Sequence, residues 1–270
     1  MKTKKNDYSV EYKKYINKQT RNKWIIVSSQ IFLLVLIFGL WELLTQLNVL
    51  NPFIFSSPTR IVNTITNLFK TGNLLYHIGI TLYEAILSFV IATAVGFLIA
   101  VWLWWSEWAR KILEPYFIVL NSLPKIALGP IIIVWFGLGT KSIIVMAFLI
   151  IIVIAILNLL NAFLSCDENK ILLLKSMGAT KFQILIKVVI PNAMPNFISV
   201  LKINVGMTWV GIIMGEYLES KAGLGYLIVY GGQIFKLDLV MSSTVILCVL
   251  AALMYGIVAI VEKHFSKKYK

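Results

Sequence analysis

Apolar stretches of membrane-spanning length alternate along this chain with short polar breaks. Trp24–Leu47 is almost wholly apolar, and a spanning helix needs about 20 such residues. Similar stretches recur at about Ile78–Trp105, Pro115–Phe136, Lys141–Leu164, Ala193–Glu216 and Leu239–Val261. The pattern predicts an all-α integral membrane protein with six transmembrane helices. Pro124 and Pro130 punctuate the third stretch; prolines are tolerated in a span when neighbouring helices or waters satisfy the freed carbonyls. Trp102, Trp104 and Trp105 close the second, as Trp does at a bilayer–water boundary.

The breaks have patterns of their own. After Pro58, the positions Ile61, Ile65, Leu68 and Phe69 form one helical stripe, which suits a short amphipathic helix at the outer surface. Residues 220–238 read as a Gly-rich outer loop. The largest break, residues 165–195, holds Lys170, Lys175, Lys181 and Lys187. Leu172, Leu173, Leu174 and Met177 recur at helical spacing before Gly178-Ala179-Thr180; Phe182, Leu185, Val188 and Val189 recur after it. Two short helices bent at Gly178 follow, since Gly tolerates positive φ where a chain turns sharply. Pro191, which lacks an N–H, is expected to stop the second. A basic helix–turn–helix tethered between two spans reads as a docking element facing water.

Composition agrees with a membrane protein: 59 % of residues are hydrophobic, where globular chains have about 45–50 %. The net charge of +13 raises nucleic acid as a partner, but the basic residues lie at the two ends and in loops, with no aromatic-interleaved basic face. With both termini cytoplasmic, 18 Lys/Arg fall inside and five outside, with Lys125 and Lys202 in or near spans. That bias supports six spans in a cell membrane with N and C inside, and it puts residues 165–192 in the cytoplasm. The first apolar run has 24 residues and no small-residue cleavage site, so it is an uncleaved span rather than a signal peptide. The chain thus divides into a basic tail at 1–23, one six-span domain at 24–264 and a short tail at 265–270. Cys166 and Cys248 are expected to be reduced, and His77 and His264 lack metal-ligand spacing.

Gly178-Ala179, a spacer, then Ile190-Pro191-Asn192-Ala193-Met194-Pro195 resembles the coupling loop of ABC importer permeases. Leu172-Leu173-Leu174 stands where that family has Glu-Ala-Ala. Phe55-Ser56-Ser57-Pro58 is similar to the family's entry to the outer helix. Pro124-Lys125-Ile126-Ala127-Leu128-Gly129-Pro130, then Trp135-Phe136-Gly137-Leu138-Gly139, resembles a mark of the nitrate/sulfonate/taurine subgroup, as does Ala222-Gly223-Leu224-Gly225-Tyr226-Leu227. The resemblance covers roughly residues 52–264. It implies a permease working as two permease subunits, expected to be a homodimer, with a cytoplasmic ATPase dimer and an extracytoplasmic solute-binding protein. Leu172, Leu173, Leu174, Met177, Gly178, Ala179 and Pro191 are the implied ATPase-coupling residues. The solute implied is nitrate, a sulfonate, taurine or a heterocyclic vitamin precursor.

Gly137-Leu138-Gly139-Thr140-Lys141-Ser142 superficially suggests a P-loop, but Thr140 stands where the motif requires Gly. With no other Walker-type sequence, the chain is not expected to be an enzyme, and ATP and Mg are left to the partner ATPase; no cofactor is expected in this chain. Glu42, Glu84, Lys125, Lys202 and Glu216 lie in or at the ends of spans. A pathway role is one reading of such charges; reaching water at a boundary is the other. Lys125, between two prolines, is a pathway candidate. Asn204, Thr208, Trp209 and Gly211 are further candidates, with interhelical bonding and close packing as the competing reading. An ion-driven secondary transporter is the functional alternative; it favours mid-span carboxylates and inverted repeats, and no clear repeat is visible.

Overall fold

A computed structural model describes residues 10–71, 73–219 and 221–266, and every regular element among them is helical. Lys2, Lys4, Lys5, Lys267, Lys268 and Lys270, counted above in the inward charge, lie outside the described residues. The chain forms two compact units, divided after Asn63.

The first unit holds α1 (Val10–Gln46), α2 (Pro52–Phe55) and the start of α3 (Pro58–Lys70). The predicted first span is the apolar part of a longer helix, and Lys18, Arg21 and Lys23 lie on that helix. None of the apolar window of α1 is buried. Glu42 is no pathway charge: Oε2 accepts the Thr59 N–H at 3.0 Å and Oε1 accepts from Gln46 Nε2 at 3.0 Å. The carboxylate therefore satisfies a first-turn donor of α3, where negative charge is favoured.

The second unit contains α4 (Leu74–Trp105), α5 (Glu107–Ser122), α6 (Gly129–Phe136), α7 (Thr140–Leu164), α8 (Glu168–Ser176), α9 (Lys181–Ile184), α10 (Ile190–Glu219), α11 (Leu224–Gln233) and α12 (Leu237–Ser266). Five helices of the described chain are long and apolar enough to cross a membrane, and a bent pair counts as a sixth if its two helices form one span. That pair corrects the third predicted span. α5 and the segment Lys125–Phe136 meet at 84°. Leu123 is extended (φ −68°, ψ 140°), as the residue before a proline prefers, and the turn Lys125–Leu128 is a 3₁₀ helix. Pro115 lies inside α5, and Pro130 falls in the first turn of α6, where a missing N–H costs nothing.

Two further expectations are corrected. Pro191 does not stop a helix: Lys181–Glu219 is one run of 39 residues. Leu185–Val189 is a π-helical turn in which the Ile190 N–H bonds the Leu185 carbonyl. A widened turn directly ahead of the proline makes room for its ring. The Gly-rich outer loop is largely helix, because α11 occupies Leu224–Gln233.

Helix α7 is the axis of this unit: 61 % of its apolar window is buried, against 11 % for α12. It packs chiefly against α4 and α10. The backbones approach where side chains vanish. A Cβ on Gly211 would lie 2.6 Å from the Ala147 Cα, and one on Gly215 2.9 Å from the Ile143 Cγ2. Gly211→Val should therefore destabilise the chain by about 1–3 kcal/mol, as overpacking does. Gly206→Ala, with nothing within 4 Å of the added carbon, should be neutral or slightly stabilising. Thermal unfolding of the two variants in detergent separates these outcomes, and equal melting temperatures would refute the close-packing assignment.

Candidate coupling element and buried polar sites

The break after α7 folds as two short helices about a defined turn. Asp167 starts α8, its Oδ1 accepting the Asn169 N–H at 2.9 Å. At the far end Gly178 adopts φ +79°. The Ala179 N–H reaches the Leu174 carbonyl at 3.0 Å, and the Gly178 N–H reaches Lys175 at 3.0 Å. This paired bonding is a Schellman end, which requires the left-handed residue that glycine supplies. The next helix starts at once. Thr180 and Gln183 form a reciprocal capping box, Gln183 Oε1 accepting the Thr180 N–H at 2.9 Å and Thr180 Oγ1 the Gln183 N–H at 3.3 Å.

The seven candidate coupling residues separate into two groups. Leu172 (64 %), Leu173 (61 %) and Met177 (73 %) are exposed, as is Phe182 (60 %). Leu174 and Ala179 face the other way, packed against a core of Leu159, Leu160, Phe163, Ile184, Leu185 and Val189. Gly178 supplies the turn, and Pro191 lies half-buried in the continuous helix that follows. Lys181 fastens α9 to the end of α4: its Nζ donates to the Trp105 carbonyl and lies 5.8 Å and 5.5 Å from the ring centroids of Trp104 and Trp105. A cavity of about 350 Å³ lies in this angle, lined among others by Trp104, Arg110, Lys175 and Lys181. Cys166 is buried at the start of the element; burial pushes its thiol up, which makes it a structural rather than a reactive cysteine.

The pathway candidates are scattered. Asn204 and Thr208 are fully buried. Asn204 Nδ2 donates to Thr93 Oγ1 at 3.2 Å, joining α10 to α4, and Thr208 Oγ1 donates to the Asn204 carbonyl at 2.7 Å. Asn204 Oδ1 and Trp209 Nε1 are buried without partners among the described residues. Gly211 is accounted for by close packing against Ala147. Lys125 lies half-buried on the 3₁₀ corner, where its Nζ donates to Asn121 Oδ1 at 3.3 Å. Lys202 pairs with Glu262 and lies over the Tyr255 ring at 5.7 Å, which ties α10 to α12.

Hydropathy did not point to the cluster where α11 meets α4 and α10. Glu84 and Glu216 reach no boundary water: they are 0 % and 1 % exposed. Glu216 Oε1 accepts from Thr81 Oγ1 at 2.7 Å, and Oε2 accepts the Gly225 N–H. The Leu224 N–H in turn reaches Thr81 Oγ1 at 2.9 Å, and the Gly223 N–H reaches His77 Nδ1 at 3.0 Å. The Glu216 carboxylate fills the space a Cβ would need at Gly223 and Gly225. Gly-Leu-Gly at 223–225 is thus a backbone cradle for a carboxylate, with Gly223 at φ +117°.

Residues 92–270 match the family described as binding-protein-dependent transport system inner membrane component. The putative aliphatic sulfonates transport permease protein SsuC of Bacillus subtilis is 26 % identical over 86 % of this chain and 84 % of its own length. The taurine transport system permease protein TauC of Escherichia coli is 24 % identical over 84 % and 85 %. The formylaminopyrimidine transport permease protein ThiX of Halalkalibacterium halodurans is 27 % identical over 72 % and 76 %. In fold, the chain is similar to an inward-facing structure of the MetNI methionine ABC transporter, with a TM-score of 0.64 and 20 % identity over 73 % of this chain and 97 % of the other. The matched segment runs from within α4 to the last residue, taking in the coupling element and the Gly223–Gly225 cradle, and the chain belongs to the family of binding-protein-dependent transport system inner membrane components, the permease subunits of ABC importers.

Proposed function

We propose that this permease forms half of a translocation pathway, pairs with a second copy of itself, and couples to a cytoplasmic ATPase dimer through residues 165–192. The observation that carries the reading is the division of that element. Its inner face is fixed to α4, α7 and α10 by Leu174, Ala179, Ile184 and Lys181. Its outer face leaves Leu172, Leu173, Met177 and Phe182 exposed among the described residues. Exposed apolar side chains on a rigid protrusion suit a partner cleft, and a partner that moves the protrusion moves three spans with it.

The ATPase supplies ATP and Mg; this chain has no cofactor of its own in the proposal. A solute-binding protein delivers the solute from the other side of the cell membrane, and both termini face the cytoplasm, as the charge bias of 18 to five supports. The boundaries are those read from the sequence: tails at 1–23 and 265–270 and one permease domain at 24–264. The relatives are named for aliphatic sulfonates, taurine, formylaminopyrimidine and riboflavin. A small sulfonate or nitrate-like anion, or a heterocyclic vitamin precursor, is the proposed solute.

Two expected outcomes test this reading. Replacing Leu172 and Met177 together by Ser should lower recovery of the ATPase with tagged permease by about tenfold or more, if each anchor contributes about 1 kcal/mol. Unchanged recovery after crosslinking would remove the docking assignment. At Gly178, Asn tolerates the left-handed conformation and Trp does not. Gly178→Asn should keep transport driven by ATP, while Gly178→Trp should insert normally yet hydrolyse ATP without transport. Full transport by the Trp variant would show that this turn transmits nothing.

A further inference from the structure

The α11 end of the α4–α10 contact buries more carboxylate than the described residues balance, independently of the transport reading above. Glu216 has its donors in Thr81 and the Gly225 N–H. Glu84 has none: both carboxylate oxygens are buried without a hydrogen-bond partner among the described residues, and the side chain is 0 % exposed. Glu216 and Thr140 lie beside it. The other titratable groups around the pair bring no positive charge. His77, from α4, accepts the Gly223 N–H on Nδ1. Tyr217 and Glu219 come from α10; Glu219 accepts from Ser142 Oγ at 3.1 Å and buries its other oxygen unpartnered. Lys141 and Lys221 are exposed, and the ion pairs among the described residues are Lys111–Glu107 and Lys202–Glu262.

A carboxylate leaves water only with a countercharge or a full set of donors. Glu216 has donors; Glu84, with Thr140 and Glu216 beside it, has neither a countercharge nor a full set of donors. We propose that Glu84, beside Glu216, holds one singly charged cation, a proton or a sodium ion, which ties α4 to α10 and to the Gly223–Gly225 cradle. One charge suffices because Glu216 is already compensated by its donors. A divalent ion would bring a second, uncancelled charge into the same buried site. Two carboxylates side by side also repel unless a positive charge lies between them, so the cation turns a repulsive contact into a clasp.

The test uses the full chain in lipid nanodiscs and reads the unfolding temperature. Sodium replaces choline at constant ionic strength and fixed pH in one series; pH is lowered in choline alone in the other. A ligand that binds only the folded state raises the melting temperature with its concentration. A rise of several degrees with sodium identifies the alkali ion, and a rise in the pH series alone identifies the proton, whose contribution is lost as pH increases. Glu84→Gln keeps the shape and removes the charge; it should fold and respond to neither. Glu84→Lys, which brings its own positive charge, should also be flat, so the proposal does not depend on one variant. His77→Gln should keep the wild-type response, which separates the carboxyl pair from histidine titration. A wild type flat in both series overturns the proposal, as does an unchanged slope in Glu84→Gln or loss of the response in His77→Gln.

Discussion

Helices α7 and α10 approach until backbone meets backbone, at Gly211 over Ala147 and Gly215 over Ile143. Lipid tails are as apolar as leucine, so burial against lipid does not hold helices together; dispersion between surfaces that fit, and bonds between helices, do. Small residues bring the axes close enough for both. The same seam decides where the chain goes next. α7 runs directly into the helix–turn–helix element and α10 runs directly out of it, so the protrusion is held at both ends by a closely packed pair. The Schellman turn at Gly178 and the capping box at Thr180 leave little slack between them.

Helix α10 also carries the polar contacts that register it against α4. Asn204 reaches Thr93 midway along it, and Glu216 reaches Thr81 near its end. In a medium without water such pairs fix register, because a slip leaves each group unsatisfied. The Gly223–Gly225 cradle extends that registration to α11. One helix thus joins the helix–turn–helix element at its start to the buried Glu216 contacts at its finish.

Much of this was legible in the sequence, and what was not has identifiable causes. Apolar run length located the second, fourth and sixth spans to within a few residues, since the bilayer sets that length, while the first and fifth helices run well beyond their apolar stretches. Gly178 announced the turn, since few other residues tolerate its conformation. The prolines were less readable. Pro124 breaks a helix; Pro115, Pro191 and Pro195 do not. The difference lies in whether neighbouring turns adjust, as the π turn before Pro191 does, and composition does not encode that. Glu84 and Glu216 read as possible boundary charges because a linear pattern carries no information about pairing; Thr81 and Glu216 meet across 135 residues. The Gly-Leu-Gly run was visible as a motif, while its reason, a carboxylate in the place of two Cβ atoms, required the fold.

The departure at Leu172-Leu173-Leu174 from the family's Glu-Ala-Ala takes on a physical sense. Leu174 is spent inward, packing beside Ala179 on the core that fixes the protrusion. Leu172 and Leu173 point out, next to Met177 and Phe182. Where an acidic residue at the first position offers a charge-assisted bond, this chain offers only apolar surface there, with Lys175 and Lys181 at its margin. An apolar anchor gains by desolvation and shape rather than by directed bonds. A donor that faced Leu172 and Leu173 would find no acceptor there, so the two outward leucines set this face apart as much by what it refuses as by what it exposes.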